Sequence, residues 1–308
     1  MTSPRLTITV PGRAIHDALG DVPKGVDVLE WEMTGPPPTS PLDIVVPPYM
    51  GTVNSLAHLD GVRVRLVQGL SNGYDGVKEA LPKNMVFANA ASVHETSTSE
   101  LAMALILASQ RGIPDFVWAA QKGHWAPGWH QSLADRTVLI VGYGGIGKAL
   151  ESRLLPFETN VLRVARTERT DERGTIFGFS SLNELLPSAD IVVVCVPLTN
   201  ETTHLVDDAF LSLMRDGALL VNVARGLVAD TAALLTHASS GRLRVALDVT
   251  DPEPLPDGHP LFALDNVLIS PHIGGATSAA LPRMSRLIHV QIDRMLNGDE
   301  PINVVLRT

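Results

Sequence analysis

An apolar, β-branched run, Val138-Leu139-Ile140-Val141, leads straight into Gly142-Tyr143-Gly144-Gly145-Ile146-Gly147, and the helix-compatible stretch Lys148–Leu155 follows. Strand, G-x-G-x-x-G turn and helix start, in that order, are the pattern of a dinucleotide-binding unit. Each residue type has a physical reason. Gly142 permits the sharp turn, Gly144 carries no side chain to hold a pyrophosphate away from the backbone, and Gly147 lets the helix pack close to its strand. Gly145 and Ile146 open the helix, whose N-terminus presents free N–H groups and a partial positive charge to an anion.

The rest of the chain is consistent with a soluble α/β protein. Its 308 residues, 45% hydrophobic and 19% charged, suffice for two packed domains. A formal net charge of −9 argues against nucleic acid or an anionic membrane as the main partner. Apolar runs such as Ile191–Val196 are strand-sized and far short of a membrane span. No signal-peptide pattern opens the sequence, and its one cysteine, Cys195, lies inside an apolar run, which reads as core packing in a reducing, cytoplasmic setting. No metal-ligand spacing stands out.

Before Gly142, strand-like runs recur at Leu6–Val10, Asp43–Val46, Val62–Gln68 and Met85–Ala88, with helix-compatible segments between them. After Gly147 they continue at Val161–Val164, Ile191–Val196, Ala218–Asn222, Arg244–Leu247 and Val267–Ile269, the βαβ rhythm of a doubly wound parallel sheet. Ser97-Thr98-Ser99-Glu100 has the form of a capping box and predicts a helix over Leu101–Gln110, apolar nearly all round and therefore buried. A last helix is expected over Ala279–Leu296, with Ile302–Val305 returning to the first domain. Trp118, Trp125 and Trp129 cluster just before the dinucleotide unit and suit an interface between subunits.

The second strand of a dinucleotide fold normally ends on an acidic residue that binds the adenine ribose hydroxyls. Here that region reads Val164-Ala165-Arg166-Thr167-Glu168. Ala165 takes the expected acid position. Arg166, with Thr167 beside it, can fork onto a 2′-phosphate, which favours NADP(H) while leaving NAD(H) usable through Glu168.

Three further segments, Val221–Gly226, Ala246–Pro256 and Ile269–Gly275, fall at expected carboxyl ends of successive strands, where ligands bind in open α/β sheets. With Leu198–Thr202 and Gly73-Tyr74-Asp75 they resemble the NAD(P)-dependent D-isomer-specific 2-hydroxyacid dehydrogenases, and the pattern runs through nearly the whole chain. The stretch Asp248–Pro256 is similar to the glyoxylate and hydroxypyruvate reductase branch. The resemblance implies two Rossmann-like α/β domains with parallel sheets. It further implies a cofactor domain, 101–279, inserted into a discontinuous substrate domain, 1–100 with 280–308, and a homodimer. It implies that Arg225 binds the substrate carboxylate, that His272 is the acid/base, and that Glu253 orients the imidazole and favours its protonated form. Cofactor contacts are implied for Pro197, Val223, Asp248 and Gly274, and substrate contacts for Met50 and the Leu70-Ser71-Asn72-Gly73 loop. His94, just before the long apolar helix, is the other histidine singled out.

The loop Pro47–Thr52 contains no Lys or Arg, so a phosphorylated substrate lacks an obvious partner there and a small 2-oxo acid is favoured. Two alternatives remain: an NAD-dependent dehydrogenase of another small acid, of phosphoglycerate or phosphite type, and a nucleotide-sensing corepressor-like binding protein.

Overall fold

The computed structural model describes residues 6–308. In chain order the strands are β1 (Leu6–Val10), β2 (Val26–Glu30), β3 (Leu42–Val45), β4 (Val64–Gln68), β5 (Val86–Ala88), β6 (Thr137–Val141), β7 (Asn160–Val164), β8 (Arg169–Asp171), β9 (Gly174–Ile176), β10 (Ile191–Val194), β11 (Leu219–Asn222), β12 (Arg244–Leu247), β13 (Val267–Ile269) and β14 (Val304–Arg307). The chain divides into two compact units: residues up to His94 with Thr277–Thr308, and Glu95–Ala276.

The first unit holds a six-stranded sheet in the order β14-β5-β4-β3-β1-β2. It is parallel except for β14, which returns antiparallel on β5. Alternate residues of each strand serve opposite faces, as the strand period of two requires. Ile44 and Leu66 pack with Leu287, Ile288 and Ile292 of the Ala280–Asn297 helix, whereas Val45 and Val67 pack with Leu56 and Leu59.

The second unit holds a six-stranded, wholly parallel sheet in the order β13-β12-β11-β10-β6-β7. Both faces are covered, so its strands read as continuous apolar runs. Leu139, Val192, Val194 and Leu220 face one core cluster, and Val138, Ile140, Ile191 and Val193 face the other. An antiparallel hairpin, β8–β9, stands outside both large sheets.

Every strand expected from the sequence is present, its ends moved by no more than two residues. Two features were not foreseen. β2 is a half-exposed edge strand whose Val-Asp-Val-Leu-Glu sequence has no run to mark it, and the β8–β9 hairpin is almost wholly exposed and polar. The capping-box reading is corrected. The helix begins at Glu95 and runs to Arg111, so Ser97, Thr98 and Ser99 are buried residues inside it. Burial overrode the cap pattern because this turn of the helix packs closely. A Cβ at Gly274 would stand 3.4 Å from Thr98 Cγ2 and Oγ1, so small side chains belong there. The apolar positions Ala102, Met103, Leu105 and Ile106 of that helix sit in the core of its own unit. The following helix, Ile113–Gln121, buries none of its residues. Among the described residues, no helix is long and apolar enough to cross a membrane.

Candidate active site

In the second unit the order of the strands reverses between β6 and β10, and the Gly-rich turn lies at the carboxyl edge of that switch point. Gly142 has φ +110°, and a Cβ there would come within 2.6 Å of the Cys195 backbone, which follows β10. A Cβ on Gly147 would reach 2.4 Å from the Gly142 carbonyl oxygen, so the Gly145–Leu154 helix can sit close to its strand only with glycine. Gly145 lies against the Glu95 side chain, 2.8 Å from an added Cβ to Cγ, and Ile146 is half-buried beside it. Gly144 differs from all of these: nothing lies within 4 Å of its added Cβ. A tight turn, a ten-residue helix starting at it, and open space in front of Gly144 fit a dinucleotide pyrophosphate.

At the neighbouring strand, β7 ends at Val164, whose carbonyl accepts from the N–H groups of Gly142 and Tyr143 at 2.9 and 3.0 Å. Ala165 and then Arg166 therefore follow the strand directly. Ala165 is buried; Arg166, Thr167 and Glu168 are exposed.

Three strand-end loops supply the polar groups. After β11, Asn222 Nδ2 donates to the Arg225 carbonyl at 3.0 Å and Asn222 Oδ1 accepts from the Ala224 N–H at 3.0 Å, which shapes the turn that carries Arg225. Arg225 Nη1 donates to the Ala224 carbonyl at 2.7 Å. Gly226 follows because a Cβ there would lie 1.8 Å from the Thr250 carbonyl oxygen, so the loops after β11 and β12 touch. Val223 donates its N–H to Val194 at 3.1 Å, and the Pro197 carbonyl accepts from Thr202 Oγ1 at 2.7 Å, closing the loop after β10.

The loop after β13 carries His272, whose Nδ1 lies 2.5 Å from Glu253 Oε1. Both side chains are about two-fifths exposed, at 39% and 41%, so the pair faces solvent rather than the core. His272 is one of the few non-glycine residues at positive φ, +53°, a conformation that costs of order 1 kcal/mol or more unless its surroundings enforce it. Asp248 supplies that enforcement. Its carboxylate, 3% exposed, accepts from Ser270 Oγ at 2.7 Å, from the Ile273 N–H at 2.9 Å and from the Gly274 N–H at 2.9 Å. Its carbonyl accepts from the His272 N–H at 2.7 Å. Sequence reasoning marked Asp248 as a cofactor contact and did not foresee this clamp, because its partners are backbone groups more than twenty residues away.

Met50 and Leu70–Gly73 belong to the first unit. Met50 is 74% exposed, next to Gly51, the left-handed start of a short helix. The 70–73 turn is pinned from three sides. His94, 4% exposed, donates from Nε2 to the Leu70 carbonyl at 2.7 Å. Ser71 Oγ donates to the Gly73 carbonyl at 2.7 Å, and Asn89 Nδ2 to the Asn72 carbonyl at 2.8 Å. Between the two loops is a cavity of about 170 Å³ bordered by Tyr49, Thr52, Ser71, Tyr74 and Asp75, and Asp75 is its one charged lining residue. His94 thus has a structural task, holding the turn on which Ser71 sits.

Residues 103–274 match the family described as D-isomer specific 2-hydroxyacid dehydrogenase, NAD binding domain. A glyoxylate reductase of Thermococcus onnurineus is 35% identical over 258 residues, covering 80% of this chain and 77% of the relative. A D-isomer specific 2-hydroxyacid dehydrogenase of Xanthobacter autotrophicus Py2, solved with NADPH and MES, superposes with a TM-score of 0.82 at 28% identity over 98% of each chain. An NADPH-dependent glyoxylate/hydroxypyruvate reductase of Sinorhizobium meliloti, solved with NADP and malonate, superposes with a TM-score of 0.78 at 25% identity, covering 98% of this chain and 97% of that one.

Proposed function

Because the chain belongs to the D-isomer-specific 2-hydroxyacid dehydrogenases, NAD(P)-dependent enzymes, we propose that it reduces a small, uncharged-side-chain 2-oxo acid of the glyoxylate or hydroxypyruvate kind, with NADPH preferred to NADH. The observation that carries this reading is the Glu253–His272 pair at 2.5 Å, held on strand-end loops at the carboxyl edge of the dinucleotide sheet.

With Nδ1 engaged by Glu253, Nε2 is the imidazole nitrogen left to exchange a proton with substrate. Protonated His272 donates that proton to the carbonyl oxygen as negative charge develops there, and in the reverse direction it accepts the proton from the 2-hydroxyl. Glu253 fixes the ring's orientation through Nδ1. Arg225 clamps the substrate carboxylate through paired N–H···O bonds and sets C2 in register with the imidazole. A nicotinamide cofactor, when bound, would supply the hydride for C2. Gly142, Gly144, Gly145, Ile146 and Gly147 would hold its pyrophosphate, with Pro197, Val223 and Gly274 as further contacts. Asp248 acts here by holding the His272 turn. Arg166 and Thr167 read the ribose 2′-phosphate, a charge-assisted contact that favours NADPH by about tenfold or more.

The cavity beside Asp75 supplies no positive charge, which disfavours a phosphate or second carboxylate on the substrate. The exposed Ile113–Gln121 helix and the segment after it, with Trp118 42%, Trp125 94% and Trp129 103% exposed, support a homodimer that covers this aromatic surface.

The test is NADPH and NADH oxidation with glyoxylate, hydroxypyruvate, pyruvate, phenylpyruvate and phosphohydroxypyruvate, with light scattering on the same preparation expected to read a dimer. Fast turnover of small 2-oxo acids with NADPH is expected. Faster turnover with NADH overturns the cofactor preference, phosphohydroxypyruvate as best substrate overturns the substrate class, and binding of cofactor with no turnover overturns the reductase reading.

A further inference from the structure

The β8–β9 hairpin follows Arg166–Thr167 at once, and no sequence motif accounts for it. Only Ile176 among its strand residues is buried, and main-chain bonds tie its end to β7, from the Phe177 N–H to the Arg163 carbonyl at 2.8 Å and from the Ala165 N–H to the Phe177 carbonyl at 2.9 Å. A polar knot fixes the exposed remainder. Arg163, on β7, and Glu151, on the Gly145–Leu154 helix, are each 3% exposed, with Arg163 Nη1 3.6 Å from Glu151 Oε1. Arg163 reaches into the hairpin, donating to Asp171 Oδ1 at 2.9 Å and to the Thr175 carbonyl at 3.2 Å. The hairpin reaches back: Arg173 Nη1 donates to Glu151 Oε2 at 2.8 Å. Tyr143, from the Gly-rich turn itself, donates its hydroxyl to Glu151, and the Arg163 guanidinium lies over its ring, 5.3 Å from the centroid.

Four pieces of chain meet in this knot: the Gly-rich turn, the helix that starts from it, β7, and the hairpin beyond its end. A buried ion pair is a poor way simply to fasten a hairpin, because desolvation cancels much of its attraction and apolar residues pack as well. What it provides is a fixed geometry between charged groups. Within the knot each carboxylate, Glu151 and Asp171, is matched by guanidinium groups. Arg169, on the first hairpin strand, instead spends its donors on carbonyls, Tyr143 at 3.1 Å and Thr167 at 3.3 Å. Among the described residues no carboxylate neutralises Arg169 or Arg166. Two uncompensated guanidinium groups are thereby kept beside the Gly-rich turn and the end of β7.

We propose that the Tyr143–Glu151–Arg163–Arg173 knot is a positioning device for cofactor selection, and that Arg169 is a second guanidinium, beside Arg166, for the 2′-phosphate of NADPH. This rests on the cofactor reading above. Glu151 and Arg173 touch no cofactor atom in this scheme. They act through the hairpin, by holding Arg169 on the Tyr143 carbonyl.

The test is binding, read by calorimetry with NADPH, NADH, adenosine 2′,5′-bisphosphate and 5′-AMP. Glu151→Gln, which keeps the shape and removes the charge, is expected to weaken NADPH and adenosine 2′,5′-bisphosphate about tenfold, the scale of one charge-assisted contact. NADH and 5′-AMP should stay within about twofold, as should kcat at saturating NADPH. Arg173→Met, at a side chain 46% exposed, leaves no buried void and should move the same ratio in the same direction by about threefold. It decides the matter if Glu151→Gln does not fold. Equal weakening of all four ligands, or an unchanged NADPH/NADH ratio with only a lower Tm, overturns the positioning role while leaving wild-type NADPH preference intact. Wild type binding NADH more tightly overturns the cofactor reading and this inference with it.

Discussion

The two large sheets share one strand order. Counted within each unit, the first five strands run 2-1-3-4-5 in both, and the sixth is added at the same edge, antiparallel in the first unit and parallel in the second. Each therefore has a switch point beside its first strand with a helix starting from the first turn, the place where open α/β sheets bind ligands. The first turns differ. In the second unit Gly144 faces open space. In the first, Gly12 opens the Gly12–Leu19 helix with the Glu32 carboxylate packed against it, and an added Cβ would lie 2.2 Å from Glu32 Oε1. A negative charge of the chain's own already meets that helix start, so an incoming phosphate would be repelled. The topology offers two anion sites, and local side chains leave one of them open.

The same contrast holds for the strand-end loops. Those of the second unit carry ionisable groups held in place by buried polar bonds, whereas the turn at Leu70–Gly73 carries oriented backbone and a hydroxyl. The largest effect should come from breaking the first kind. His272→Asn is expected to lower kcat about 10³-fold, within the range for loss of a positioned acid/base, with the NADPH dissociation constant unchanged. Turnover within tenfold of wild type would remove His272 from the chemistry.

Next is a paired substitution across the two switch points. Gly144 has φ −95° and an empty neighbourhood, so Gly144→Val should fold normally, yet it should weaken NADPH binding about 100-fold by holding the pyrophosphate off the backbone. Gly12 has φ +73°, so Gly12→Ala should cost about 1 kcal/mol of stability and leave cofactor affinity alone. The comparison fails if the two lesions trade places, with Gly144→Val lowering Tm and Gly12→Ala weakening the cofactor.

The smallest effect concerns Cys195, the wall of the open switch point. Desolvation holds its thiol up at about 12, so the native protein keeps that proton where the unfolded chain releases it. The resulting contribution to stability is complete below about pH 8.5, the range of an unfolded thiol, and is lost as pH rises through the native value. Labelling by a thiol reagent at pH 8 should be slow in native protein and fast in denaturant. Equal rates would mean that the junction of β6 and β10 is loosely packed.

Much of this was legible in the residues. Glycine spacing after an apolar run announced the dinucleotide turn, and runs of Val, Ile and Leu announced strands buried on both faces, because these signals are local and periodic. The short edge strand β2, too brief and too exposed to give a run, and the exposed polar hairpin escaped notice. The buried hydroxyl run Ser97–Ser99 carried a misleading one, since a cap and a tight helix contact both call for small polar residues.

By itself, then, the sequence determined the fold class, the dinucleotide turn and the residue types available for acid/base and carboxylate-binding chemistry, all of which follow from short-range pattern. Only the tertiary structure decided which of them meet. The 2.5 Å approach of Glu253 to His272 spans nineteen residues, the Asp248 clamp on Ile273 and Gly274 spans twenty-five and twenty-six, and the Arg173 contact on Glu151 spans twenty-two. Such contacts arise because parallel strands return every loop that follows a strand to the same edge of a sheet. That is a property of the packed fold, invisible in any window of sequence short enough to show a period.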